Sequence, residues 1–128
     1  MNIGPIPQTW IRDVVAILRS HDKKRIAWTA RADMDWRQFG MHYEAYELLI
    51  QTLHTSGIIG SDESVAMQGA KETWAFLCPH PMNPANKLYA KIGLKDGALS
   101  IKIFSLHVDL QDRKLEKAIK TYLKNQKP

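Results

Sequence analysis

The 128-residue sequence predicts an α+β domain, with N-terminal helices packed on an antiparallel sheet of about three to four strands and a basic helix at the C-terminus. Two observations lead to this fold class. Apolar residues recur at helical spacing before residue 56, and from Thr73 onward they run continuously or alternate as they do in strands. A chain of this length is expected to form a single domain, residues 1–128, whose core needs no disulfide or metal.

Three helices are predicted in the N-terminal half, because the apolar residues of each segment fall on one helical face. Thr29 follows a short predicted strand and is suited to accept a hydrogen bond from the first turn of the second helix. The polar stretch 61–71 is weakly patterned and is predicted to be a loop. The predicted helices cover about residues 10–20 with Thr9 as the N-cap, Thr29 to about Gln38, and about 42–55.

The C-terminal half is predicted to be mostly sheet. A continuous apolar run from Thr73 to Cys78 has the length of a strand that is covered on both faces, and it ends at Pro79 because proline cannot donate to a β-ladder. Two alternating segments follow, about 87–95 and 98–106, with Asp96-Gly97 between them. An Asp-Gly pair between alternating segments is a strong signal for a β-hairpin.

A two-residue Asp-Gly turn would determine which residues face each other across the hairpin. Lys91 is then predicted opposite Lys102, and Tyr89 opposite Phe104, on the face turned away from the core. Like charges directly opposite each other on a sheet repel. The pair indicates either a site for an anion such as phosphate, beside a ring on which a base stacks, or two lysines that extend separately into water. Both interpretations stay open.

Positive charge is concentrated in the C-terminal half. The formal net charge is +5, and residues 65–128 hold eleven Lys and Arg against five Asp and Glu, whereas residues 1–64 hold seven against eight. A last helix is predicted from Asp109 or Asp112 to about Lys124, with basic residues on one face and a buried stripe on the other. The charge favours an anionic partner such as RNA, DNA or an acidic protein, although lysine also serves solubility alone. The predicted buried stripe is Leu115, Ala118, Ile119, Tyr122 and Leu123.

Several classes of protein are not indicated by the sequence. No segment resembles a signal peptide, and no apolar run approaches the length that crosses a bilayer, so we expect a cytoplasmic protein without membrane association. Cys78, the single cysteine, and nearby His80 have no second Cys/His pair beside them, so no metal site is predicted. No glycine-rich phosphate or dinucleotide motif points to a cofactor. The sequence gives no prediction of the oligomeric state.

Several segments resemble the MqsR-family toxins, which are similar to the RelE-type ribonucleases. The likeness is carried by KRIAWTARADMDWRQFG from Lys24, by the helix YEAYELLIQTL, by the strand TWAFL and by KLYAKIGLKDGALSIKIFSLH. It covers roughly residues 10–109, and its most specific piece is Leu88 to Ile92. The resemblance implies an endoribonuclease that cleaves messenger RNA without metal, alone or on the ribosome, and that a cognate antitoxin protein holds inactive.

The resemblance also implies a site on the predicted hairpin. Tyr89 matches the active-site tyrosine of the family and Lys91 its neighbouring lysine, while Lys102, or a neighbour on the last strand, would supply a second cation. The family has a glutamine where this chain has Ala75, so one expected group is missing. Strict alternation puts His107 on the core face, so it needs a bulge or a strand end to reach the lysines. The role of the missing glutamine would pass to Lys87, His80 or His107.

The implied chemistry is attack of a 2′-hydroxyl on the adjacent phosphate, with lysines stabilising negative charge and a tyrosine or histidine moving protons. Two other functions stay open, namely a non-catalytic nucleic-acid-binding module that uses the same lysines, and a domain that binds an acidic protein. The predicted catalytic residues are Tyr89, Lys91, Lys102 and His107, and the predicted RNA contacts are Lys87, Lys95, Phe104, His80, Lys117 and Lys120.

Overall fold

The computed structural model describes residues 2–64, 72–95, 97, 99–109 and 114–126. Asp96 of the predicted turn, Asp112 of the predicted cap and residues 65–71 of the predicted loop lie outside these ranges. The strands within them are β1 (Asn2–Pro5), β2 (Ile26–Trp28), β3 (Ile59–Asp62), β4 (Glu72–Pro79), β5 (Lys87–Leu94) and β6 (Ile101–Val108). The helices are α1 (Gln8–Ser20), α2 (Ala30–Arg37), α3 (His42–Leu53) and α4 (Lys114–Asn125).

The α+β class is confirmed, but the described sheet has six strands rather than three to four. Their order is β1-β3-β4-β5-β6-β2, and neighbours are antiparallel except that β2 runs parallel to β6. The two strands absent from the prediction, β1 and β3, are four residues long and have no alternating apolar pattern. Ser61 and Asp62 belong to β3, so placing them in a loop was wrong.

One face of the sheet carries the hydrophobic core. Buried apolar side chains of α1, α2 and α3 form one cluster with the inward residues of β4, β5 and β6. Trp10 of α1 packs edge-on against Phe76 of β4 with the ring centroids 6.4 Å apart, and its indole N–H donates to the Glu72 carbonyl at 3.1 Å. These helices therefore occupy one side of the sheet and leave the other side for α4 and solvent.

The positions of the helices were predicted more accurately than the residues that cap them. Thr29 caps α2 as predicted, because its Oγ1 accepts a hydrogen bond from the Ala32 N–H at 3.1 Å. The prediction of Thr9 as a cap was wrong, since α1 begins at Gln8 and Pro7 occupies the N-cap position in an extended conformation. Among the described residues, no helix is long and apolar enough to cross a membrane.

On the second face of the sheet, α4 covers only the end formed by β1, β3 and β4. α4 contacts β1, β3 and β4, and its Leu115 is buried without belonging to the main core cluster. Ser61 and Ala75, which lie opposite each other on β3 and β4, are 1% exposed. The predicted buried stripe was wrong beyond Leu115, because Leu123 is exposed and the residues between them are only half-buried. Among the described residues, α4 does not reach the outward side of β5 and β6, where the side chains are half-buried.

Candidate functional site

The β5–β6 hairpin has a different register from the one predicted. The Lys95 N–H donates to the Ser100 carbonyl at 3.0 Å, so a connection longer than a two-residue turn joins the strands. Gly97 lies within it and has a φ of 79°, in the left-handed region that favours glycine. The observed register buries Ile101 fully and leaves Leu99 68% exposed, whereas the predicted one put Leu99 in the core. In the observed register Ile101 takes the place opposite Leu94 that the prediction gave to Leu99.

A β-bulge in β6 changes which side chains face the core. The register shifts between Lys91 and Ile92, so that Phe104 of β6 is an extra residue without a partner. Strict alternation past this point would expose Leu106 and bury His107. With the extra residue, Leu106 is fully buried and His107 lies on the opposite face. The bulge thus places an apolar residue in the core and brings the imidazole to the side of the lysines.

The predicted pairing of Lys91 with Lys102 is therefore wrong. Lys91 lies opposite Ser105, and Lys102 lies opposite Gly93, so the two ammonium groups are diagonal neighbours on the same face. The Lys102 Nζ atom lies 5.5 Å from the centroid of the Phe104 ring, which is a favourable distance for a cation–π contact. The new register relieves the like-charge repulsion without moving either lysine to the core side.

Tyr89 lies opposite His107, so its predicted pairing with Phe104 is also wrong. The Tyr89 and His107 rings stack with centroids 5.4 Å apart and planes inclined by 23°. His107 Nδ1 lies 2.8 Å from the Val108 carbonyl oxygen, and because that oxygen only accepts, Nδ1 carries the proton. In the neutral ring, Nε2 is then an acceptor, and the described residues give it no hydrogen-bond partner.

The phenol of Tyr89 is held in its protonated form. Partial burial, followed by the negative charges of Glu63 and Asp109, raises the pKa of Tyr89 to about 12. Protein groups hold both carboxylates, since Glu63 accepts a hydrogen bond from the Ser61 hydroxyl at 3.0 Å and Asp109 accepts one from the Glu116 N–H at 3.4 Å. At neutral pH the Tyr89 phenol keeps its proton, as a free tyrosine does, and the raised pKa makes it a weaker acid than a free tyrosine; it lies beside an imidazole that can accept a proton.

The four predicted catalytic residues lie on one face of the hairpin, although not in the predicted pairs. We call the outward side of β5 and β6 that carries Lys87, Tyr89, Lys91, Lys102 and His107 the lysine face. All five side chains are half-buried. Within the described part of the chain, none of the three lysines forms an ion pair, so their charges are available to an anion.

Ala75 lies directly beside Lys91, on the neighbouring strand β4. It is the position at which the resemblance implies a glutamine, and its buried methyl group offers no hydrogen bond. His107, on the far side of the same hairpin, is a polar group that the bulge brings to this face. The site therefore holds a proton acceptor in spite of the missing glutamine.

The predicted RNA contacts are not gathered in one place. Lys87 lies on the lysine face and Phe104 lies beside it, whereas exposed Lys95 lies in the connection at the far end of the hairpin. Lys117 and Lys120 are exposed on α4, and Lys120 Nζ lies 3.9 Å from the Glu116 carboxylate. The α4 lysines can extend a basic surface, but they lie on a different element from the Tyr89–His107 pair.

His80 has a structural role in the connection between β4 and β5. Its Nδ1 accepts hydrogen bonds from the Met82 and Asn83 N–H groups at 3.0 and 3.1 Å. The ring also packs edge-on against Phe39 with the centroids 4.9 Å apart. These contacts occupy the lone pair that a proton acceptor would need.

A second histidine cluster joins α2 to α3, and the sequence did not predict it. His42 stacks on Trp28 with centroids 4.3 Å apart, and its Nε2 lies 2.6 Å from the Asp33 carboxylate. The Trp28 indole donates to the Tyr46 hydroxyl at 3.0 Å. The His42 hydrogen bond outweighs partial burial and, together with Arg37, holds the pKa of Asp33 below its usual value. Neither residue type nor spacing signalled this contact, because its partners come from separate elements.

Among the described residues, no three His, Cys, Asp or Glu side chains lie close enough together to hold a metal ion. Comparisons with protein-family models, with curated proteins and with solved structures found no match. The resemblance to the MqsR family therefore stays a prediction from the sequence.

Proposed function

We propose that this chain is an endoribonuclease that cleaves RNA without metal, and that its site is the Tyr89–His107 pair on the lysine face. The observation that carries the proposal is the stacked pair itself. It sets an imidazole whose Nε2 has no hydrogen-bond partner among the described residues beside a phenol that keeps its proton. A surface that only binds RNA needs cations and flat rings, whereas this donor–acceptor pair is what proton transfer requires.

In the proposed reaction, His107 Nε2 accepts the proton of a ribose 2′-hydroxyl while that oxygen attacks the adjacent phosphorus. The bond from phosphorus to the 5′-oxygen of the next nucleotide breaks, and this oxygen takes the phenol proton of Tyr89. The products are a 2′,3′-cyclic phosphate and a 5′-hydroxyl. The proton on His107 then returns to Tyr89 through water, which restores both groups.

Lys91 and Lys102 would stabilise the negative charge that develops on the phosphate oxygens. Lys91 follows Tyr89 by two residues on the same strand face, which corresponds to roughly 7 Å along the strand. A fixed positive group at this distance contributes most when charge accumulates in the transition state, and loss of one such group typically costs about 10²–10³-fold in rate. The Phe104 ring beneath the Lys102 ammonium limits where that charge can move.

The test is single-turnover cleavage of RNA in EDTA by the wild type and by Lys91→Ala and Lys102→Ala. We expect wild-type products with 2′,3′-cyclic phosphate ends and rates reduced by about 10²-fold or more in both variants. Lys23→Ala is the matched control, because this exposed lysine lies between α1 and β2, and it should cleave like the wild type. Absence of cleavage in EDTA, or unchanged rates in both hairpin variants, would overturn the proposal.

Retention of RNA without cleavage would support the non-catalytic binding module instead, and that binding should weaken steeply with salt. The toxin role rests on the sequence resemblance alone. It predicts that expression of the wild-type chain arrests growth, that Lys91→Ala relieves the arrest, and that a co-expressed antitoxin restores growth.

A further inference from the structure

A groove of about 300 Å³ opens at the edge of the lysine face, where the end of α3 approaches the end of β4 and the start of β5. Its walls are largely aliphatic, and its polar groups are an amide, hydroxyls and one ammonium. A volume of this size lies at the lower end of the range for small-ligand pockets. The lining residues that matter here are Leu48, Ile58, Leu77, Gln51, Thr55 and Lys87.

Two residues connect this groove to the Tyr89–His107 pair. Leu77 lines the groove and lies directly opposite Tyr89 across the β4–β5 ladder, a separation of roughly 5 Å between such partners. Lys87 also lines the groove, and because it precedes Tyr89 by two residues its side chain points to the same face. Leu77 and Lys87 thus border both the groove and Tyr89.

The groove also has polar groups that the protein does not use itself. Within the described part of the chain, the Gln51 amide and the Thr55 hydroxyl have no hydrogen-bond partner, and Lys87 has no ion pair. The Gln51 amide offers two donors and one acceptor, which match the edge of a nucleobase. Aliphatic walls suit the flat faces of the base, and Lys87 suits its phosphate.

We propose that this groove is a nucleobase-binding subsite that selects the nucleotide next to the cleaved bond. Gln51 reads the edge of the base, Thr55 closes the outer end of the groove, and Lys87 contacts the phosphate that leads to the Tyr89–His107 pair. This proposal rests on the proposed ribonuclease function and adds a sequence preference to the same site.

Binding of uncleavable RNA tests the subsite without requiring activity. The probes are hexauridylates whose 2′-fluoro groups replace the attacking hydroxyls. In each of four probes, one chosen position carries a different base. We expect the wild type to prefer one base by about tenfold or more, the usual discrimination of an amide that contacts a base edge. Gln51→Glu, which removes both amide donors, and Thr55→Trp, which fills the groove, should abolish that preference.

Gln38→Glu is the matched control, because it makes the same charge change at an exposed glutamine at the end of α2 and should keep the wild-type preference. Equal binding of all four probes by the wild type, or an unchanged preference in Gln51→Glu and Thr55→Trp, would overturn the subsite. Circular dichroism spectra matching that of the wild type would show that both groove variants are folded.

Mapping of cleavage ends in EDTA separates this proposal from the ribonuclease proposal. If the wild type cleaves and Gln51→Glu cuts at the same bonds, the subsite is wrong and the ribonuclease proposal stands. If the wild type does not cleave but binds the probes with a Gln51-dependent preference, the ribonuclease proposal is wrong and the groove is still a nucleobase site.

Discussion

Two histidines of this protein stack on aromatic rings, and the two pairs differ in what they leave free. His42 stacks on Trp28 with centroids 4.3 Å apart, and its Nε2 is bound to the Asp33 carboxylate at 2.6 Å. His107 stacks on Tyr89 with centroids 5.4 Å apart, and its Nδ1 donates to a backbone carbonyl. The His107 Nε2 has no partner among the described residues.

His42 therefore has a structural role, whereas His107 has a ring nitrogen that is available for proton transfer. In the first pair a carboxylate holds the imidazole, and the contact joins α3 to α2. In the second pair a carbonyl oxygen orients the ring and fixes the proton on one nitrogen, which leaves the other nitrogen for a ligand. Stacking therefore does not distinguish the two roles, whereas the partner of each ring nitrogen does.

The largest effect on RNA cleavage is expected from substitution of the tyrosine that stacks on His107. Tyr89→Phe keeps the ring that stacks on His107 and removes the phenol proton, so RNA cleavage should fall by about 10²–10⁴-fold with little change in thermal stability. Tyr46→Phe is the control, because it removes the hydroxyl that accepts from the Trp28 indole and should leave cleavage intact. Comparable losses of activity in the two variants would contradict the separation of roles.

A smaller effect is expected at the carboxylate that holds His42. Asp33→Asn weakens the hydrogen bonds from His42 and Arg37, and should lower the free energy of unfolding by about 1 kcal/mol, since Asp33 is partly exposed. Urea denaturation at neutral pH measures this change. Asp35→Asn on the same helix breaks only a surface pair with Arg31 and should cost less. A loss of cleavage activity in Asp33→Asn would indicate that the first pair is not purely structural.

The smallest effect is the pH dependence of that stabilisation. The pKa of Asp33 is lowered in the folded protein, so folding favours its ionised form and the stabilisation is present above the ordinary value of 3.8. It is lost as the pH falls through the lower folded pKa. The stability difference between wild type and Asp33→Asn, measured by urea denaturation, should therefore shrink as the pH falls below 3.8. A difference that is the same down to the lowest pH at which the chain folds would contradict this assignment.

The elements with strong patterns were predictable from the sequence, and the short strands were not. Helical spacing located α1 to α3, and the apolar run before Pro79 located β4, because burial of one face or both is encoded in consecutive residues. β1 and β3 lack such a pattern and are held by pairing with each other and, for β3, with β4. Their formation depends on partners that are distant in the sequence.

For the candidate site, the sequence predicted the face of the hairpin on which the side chains lie but not the bulge that sets their register. Alternation correctly placed Tyr89, Lys91 and Lys102 on the face away from the core. The bulge at Phe104 was not predictable, because it results from competition between local alternation and the burial of Leu106 in the completed core.

The most direct test of this account compares the two histidines in one assay. Single-turnover cleavage of RNA in EDTA is measured for His107→Gln and His42→Gln at a temperature at which both variants are folded. We expect His107→Gln to lower the rate by about 10²-fold or more, and His42→Gln to lower stability but keep the wild-type rate. Wild-type cleavage by His107→Gln, or equal loss in both variants, would contradict it.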